Sequence, residues 1–147
     1  MKIANSPIDV DWSAPIDKLV PGATFRTAER LVSQADVDAF ARLTGDAHPQ
    51  HVDEDWAAGS LFGERVAHGL LVLSAAAGLV PFDPERVVAL RRVTDVVFKR
   101  PVRAGDSILV VGEIAAIRAP SLVSTRWRVV GADGHLRAAA KVEVVWR

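Results

Sequence analysis

Three residue types that together perform general acid–base chemistry beside a developing negative charge lie close together in this chain. Gly45-Asp46-Ala47-His48-Pro49-Gln50-His51 sets a carboxylate and an imidazole five residues apart. Ala67-His68-Gly69 follows, with Gly69 at the head of an apolar run. A carboxylate and an imidazole can polarise one water between them, take its proton and return a proton on the same face of a substrate. A glycine that opens a helix offers an unpaired N–H and the positive end of the helix dipole to an oxyanion. It also lets a carbonyl approach the backbone closely. Each residue has a plainer reading as well. Asp46 can close its own turn, His51 can be a surface residue, and Gly69 can serve tight helix packing. His68 can bond loop backbone and fix the start of the helix. His48 can touch the substrate region, support the loop or face solvent.

The elements that must position these residues are legible in outline. Residues 1–20 are rich in Pro and Asp, with Trp12 as an anchor, and read as an extended arm that docks on a body formed by residues 21–147. Gly22 to Val32 reads as a first strand. Ser33 caps a helix with Asp36 three residues on, and Gly45 ends it. Residues 46–66 read as a long, mostly irregular segment with one short helix over 53–58, and a loop of this length is usually functional. Residues 69–80 form a helix that is apolar all round and so must be buried on nearly every side. Strands are expected over 87–98, 107–118, 121–130 and 136–147, with Ala132-Asp133-Gly134 as a hairpin turn. The last strand alternates, placing Leu136, Ala138, Ala140, Val142, Val144 and Trp146 on one face. The fold class is therefore α+β: about five strands in a long antiparallel sheet around a buried central helix. An open sheet edge favours a dimer.

Composition narrows the function classes. Lys and Arg total 18 against 18 Asp and Glu in 147 residues, which gives no electrostatic case for nucleic acid. There is no cysteine and no tyrosine, so disulfides, thiolate chemistry and phenolic acids are excluded. The first seven residues lack the apolar core of a signal peptide, and the run Leu70–Phe82 is too short to span a bilayer. A cytoplasmic protein with no membrane partner is the expectation. No metal is expected. His48, His51, Asp53 and His68 hold metal-ligand types, but His-x-x-His on an irregular loop fits poorly with the helix-face pattern that zinc sites use. No nucleophile elbow, dinucleotide loop or phosphate loop occurs.

Three ordered segments carry a family resemblance. Leu43-Thr44-Gly45-Asp46-Ala47-His48-Pro49-Gln50-His51-Val52-Asp53 resembles the hydratase motif of MaoC-like dehydratases, including (R)-specific enoyl-CoA hydratases. Val66-Ala67-His68-Gly69-Leu70-Leu71 resembles the start of that family's central helix, and Phe98 to Asp106 its Phe…Pro-Val…Gly-Asp segment. The resemblance spans residues 22–147. It implies the hotdog fold and hydration of a 2-enoyl-CoA thioester, or the reverse dehydration. It implies Asp46 and His51 as the catalytic pair and Gly69 as the oxyanion donor, with His68 and His48 beside the substrate. Lys99, Arg100 and Arg103 would meet CoA phosphates, although a solvated strand end is the plainer reading of that cluster. No cofactor is implied, since the CoA thioester is the substrate. The partner would be a second copy or a paralogue. Two positions depart from the family pattern. His48 stands where Asn is frequent, and Ala77 stands where a serine supports the aspartate, with Ser74 one turn away. A thioesterase of the same fold, or a non-catalytic acyl-CoA-binding subunit, are the competing readings.

Overall fold

Ser33 begins the first helix with the bonds its sequence pattern demands. In the computed structural model, which describes residues 8–147, the Ser33 hydroxyl accepts from the Asp36 N–H, and the Asp36 carboxylate accepts from the Ser33 N–H. Such a cap is worth about 1 kcal/mol. Helix α1 runs Gln34–Thr44 and stops at Gly45, whose φ of 81° is costly for any residue with a Cβ. Its Val37 and Ala41 are buried.

The expected first strand is instead two short ones, β1 (Thr24–Arg26) and β2 (Arg30–Leu31). Both pair with β4 (Ser107–Arg118). Between them the Thr27 hydroxyl accepts the Val110 N–H, and the Thr27 N–H donates to the Val110 carbonyl. A side chain thus takes a place in the ladder and the strand is interrupted. With β3 (Val87–Phe98), β5 (Leu122–Gly131) and β6 (Leu136–Trp146), this makes one six-stranded antiparallel sheet in the order β1-β4-β5-β6-β3. The turn from β5 to β6 uses Gly134 at φ 79°.

The sheet wraps the central helix α4 (Gly69–Leu79), which packs against β4 and β6. Leu71, Val72, Ala75 and Ala76 are buried there beside Ile108, Val110, Val129, Val142 and Val144. The alternation of β6 delivers Ala138, Ala140, Val142, Val144 and Trp146 to this core. The described part of the arm, residues 8–20, lies on the body; residues 1–7 are outside the described residues. Val10, Ala14 and Leu19 are buried, Trp12 packs on Phe25 and Phe82, and the Trp146 indole donates to the Ala14 carbonyl.

The expectation that α4 is buried all round is corrected by the structure. Leu70 is 63% exposed, and Ser74 and Gly78 are exposed as well. These positions, four apart, form one stripe. The reason is coverage: a single sheet reaches around only part of the helix. The same deficit shows at β3. Leu90, Val93 and Phe98 stand opposite Val144, Val142 and Ala138 of β6. Directly opposed residues share a face, so all three point to the core side. They are nonetheless 61%, 38% and 48% exposed, so this face of β3 is only partly covered. Among the described residues, no helix is long and apolar enough to cross a membrane.

Candidate active site

Asp46 follows directly on the αL glycine that ends α1, so the turn itself aims the residue away from the helix axis. His51 was expected on irregular chain; it sits on a one-turn helix, α2 (Pro49–Val52). The signal was present in the sequence. Pro49 occupies the first helical turn, where its missing N–H costs nothing, and the His48 Nδ1 caps the helix by accepting from the Gln50 N–H (3.1 Å). Helix α3 (Glu54–Ala58) follows, capped by the Asp53 carboxylate. Backbone bonds then stitch the segment down: Val66 N–H to the Gln50 carbonyl, and Ala67 N–H to the Val102 carbonyl. The Gln34 and Gln50 amides donate to the His51 and Glu64 carbonyls.

The result is convergence. Asp46, His51 and His68 each offer a polar atom within 4.8 Å of the others. His51 Nδ1 faces the Val66 carbonyl at 2.7 Å. A carbonyl only accepts, so Nδ1 carries the hydrogen, and Nε2 keeps the lone pair of the neutral ring. His68 is buried, 3% exposed. Its Nε2 donates to the main-chain carbonyl of Asp46 (2.8 Å), and its Nδ1 has no partner among the described residues. The two imidazoles stack, with centroids 3.8 Å apart and planes 24° apart. Stacked rings direct their in-plane lone pairs side by side, not toward a common point. This geometry suits a positioned proton acceptor better than a shared cation.

These residues line a cavity of about 380 Å³ together with Gly69, Phe40, Phe62, Phe98, Arg100 and Arg137. Gly69 opens α4, so its N–H belongs to the first turn, which no helix carbonyl can satisfy. A Cβ placed on Gly69 would lie 2.9 Å from two atoms of the Phe98 ring. The glycine therefore admits both the ring and anything lying against it.

Other expected site residues fall elsewhere. His48 is exposed, spends its Nδ1 on the α2 cap and stands edge-on to Trp56, outside the cavity lining. Of the basic cluster, Arg100 lines the cavity, Arg103 pairs with Glu64, and Lys99 is exposed away from the lining. Ala77 has no hydroxyl to offer, and Ser74 is unavailable because its hydroxyl donates to the Leu70 carbonyl (2.7 Å). Sequence reasoning missed Arg137. It reads as an outward-facing member of an alternating strand, yet it is buried at the strand end, tied to Asp133 and to the His135 carbonyl.

The profile of the MaoC like domain family matches residues 18–126. Protein MaoC of Klebsiella aerogenes is 41% identical over 95 residues, which are 64% of this chain and 28% of that protein. This chain thus spans little more than a quarter of the length of that relative. The (R)-specific enoyl-CoA hydratase of Aeromonas caviae is 32% identical over 124 residues, which are 84% of this chain and 92% of that protein. Among solved structures, the monoamine oxidase regulatory protein of Archaeoglobus fulgius is 30% identical. It superposes with a TM-score of 0.84, covering 91% of this chain and 95% of that one.

Proposed function

This chain belongs to the MaoC-like dehydratase family and has its hotdog fold, and from that premise we propose that it hydrates a trans-2-enoyl-CoA thioester to the 3-hydroxyacyl-CoA, or runs the reverse dehydration. One observation carries the reading: Asp46 and the His51 ring share a cavity with the first-turn N–H of α4. A water held between the Asp46 carboxylate and His51 Nε2 loses a proton to the pair as its oxygen bonds to C3 of the substrate. Electrons move onto the thioester oxygen, where the Gly69 N–H and the helix dipole stabilise the charge. The enolate then collapses and takes a proton at C2 from the pair. No cofactor enters, and the Val66 carbonyl keeps His51 in the tautomer that accepts. Arg100 at the cavity wall suits a CoA phosphate.

The acting species in this reading is a dimer. The partly exposed core-side residues of β3 lie on an open sheet edge, and Leu70 of α4 is exposed as well. A second copy joined at that edge would cover it. Loss of crotonyl-CoA double-bond absorbance on adding the protein tests the activity. The expected result is turnover without added metal or cofactor. A protein that releases free CoA thiol and leaves the double bond intact would be a thioesterase instead.

A further inference from the structure

Both members of the acid–base pair rest on one buried side chain. The Asp46 carboxylate makes no salt bridge among the described residues, and the bond it accepts from the His48 N–H is long, at 3.5 Å. Asp46 is held through its main chain instead: the Thr44 hydroxyl takes its N–H and the buried His68 Nε2–H binds its carbonyl. The other face of the problem is His51. One bond, from Nδ1 to the Val66 carbonyl, fixes the ring along one direction but leaves it free to tilt about that bond. The His68 ring stacked at 3.8 Å removes the tilt, and Phe40 packs against His68 with ring centroids 4.9 Å apart.

We propose that His68 is the positioning residue of this site, an inference that rests on the hydratase reading above. From the N-cap of α4 it holds Asp46 by a hydrogen bond to the main chain and His51 by stacking. Burial gives it the required rigidity. At 3% exposure, wedged between Phe40 and His51, the ring has no room to change rotamer. His68 touches neither the water nor the thioester in this account. Its removal misplaces both reacting groups, and a misplacement near 1 Å costs about 100-fold.

The test separates the two contacts. His68→Phe keeps a stacking ring and drops the donor, while His68→Gln keeps a donor and drops the ring. The expected result is a fall of roughly 10- to 100-fold in kcat for His68→Ala with KM nearly unchanged. His68→Phe and His68→Gln should each lie between it and the wild type. Side-chain ¹H–¹⁵N spectra supply a readout independent of turnover. The His51 Nδ1–H signal should be sharp in the wild type and exchange-broadened in His68→Ala and His68→Gln. If His68→Ala does not fold, the Phe and Gln variants decide. Folded variants with wild-type kcat and an unchanged His51 signal would overturn the proposal. So would losses of activity that only track the folded fraction. A wild type inactive on crotonyl-CoA would sink the hydratase reading alone, and the His51 spectra would still decide whether His68 positions it.

Discussion

Two clusters of ionisable side chains in this domain are built on opposite rules. On the outer face of the sheet, Glu143 is 7% exposed and receives Arg91, Arg118 and the Ser124 hydroxyl. Both oxygens of that carboxylate face a donor, and the two guanidiniums hold its pKa below the ordinary glutamate value, Arg118 having the larger effect. In the cavity, among the described residues, Asp46 has no salt-bridge partner, His51 has one nitrogen unused and His68 has another. The first cluster has closed its bonding and can only hold strands together. The second leaves acceptor atoms unpaired among the described residues, at the cost of stability that full pairing would bring. That difference separates a structural charge cluster from a chemical one, and it is visible only in three dimensions.

Substitutions in the open cluster should have the largest effect. Asp46→Asn and His51→Ala should each lower hydratase turnover by about 10²–10⁴-fold, the range for a positioned acid–base group. Thermal melting should hardly change for Asp46→Asn, and His51→Ala should melt lower because it gives up the Val66 bond and the His68 stack, with the kinetic loss the larger of the two. The two losses should be far from additive, since both groups act on one water. Steady-state kinetics of the singles and the double would check this, and a single variant with near-normal turnover would break the assigned pair.

Gly69→Val comes next. A side chain there meets the Phe98 ring within 3 Å. That ring is half-exposed and can swing aside, so the fold should tolerate the change. The donor and the thioester cannot both keep their places, however. Loss of one oxyanion donor costs about 10²–10³-fold. Turnover and melting on one sample should show a large kinetic loss with a small thermal one. An unfolded variant with unchanged activity in its folded fraction would make Gly69 a packing residue.

How much of this was legible beforehand follows from range. Local rules hold: the Ser33–Asp36 box, the Gly45 stop and the alternation of β6 all depend on neighbours a few residues away. Asp46, His51 and Gly69 line one cavity, and that proximity is readable because the three are close in sequence. What failed depends on coverage and distant partners. Composition could not say that the sheet leaves Leu70, Ser74 and Gly78 open. Nor could it say that Thr27 would break a strand through Val110, eighty-three residues away. The buried Arg137 and Glu143 sit at outward positions of a strand whose alternation assigns them to solvent. The α2 turn was the exception, a local cap at His48-Pro49 that the sequence did display.

The core-side residues of β3 belong to neither cluster: they are apolar and only partly covered. Leu90→Lys places a charge where a second copy would seat. The expected outcome is a shift from dimer to monomer at micromolar concentration by light scattering. The change in melting temperature of the isolated chain should be small, since Leu90 is already 61% exposed. A wild type that scatters as a monomer would remove the dimer from the proposed function. A dimer formed only with a related chain would replace the homodimer by a heterodimer.

The smallest effect is expected at the closed cluster. Because Arg118 and Arg91 favour the carboxylate form of Glu143 in the folded protein, its pKa there lies below the unfolded value. The stability it contributes is therefore present above the unfolded value and lost as pH falls through the lower, folded one. Glu143→Gln removes that contribution without changing shape. Its melting temperature should fall by a few degrees at neutral pH, and the gap to the wild type should close below about pH 4. Turnover should be unchanged, because the cluster lies on the outer face and its bonds end at Arg91, Arg118 and Ser124. Melting curves across pH 3–7 with parallel kinetics would check it. A gap that widened toward acid would mean that Glu143 is not the paired carboxylate. A loss of turnover would mean that the two clusters are coupled and that the closed one also shapes the site.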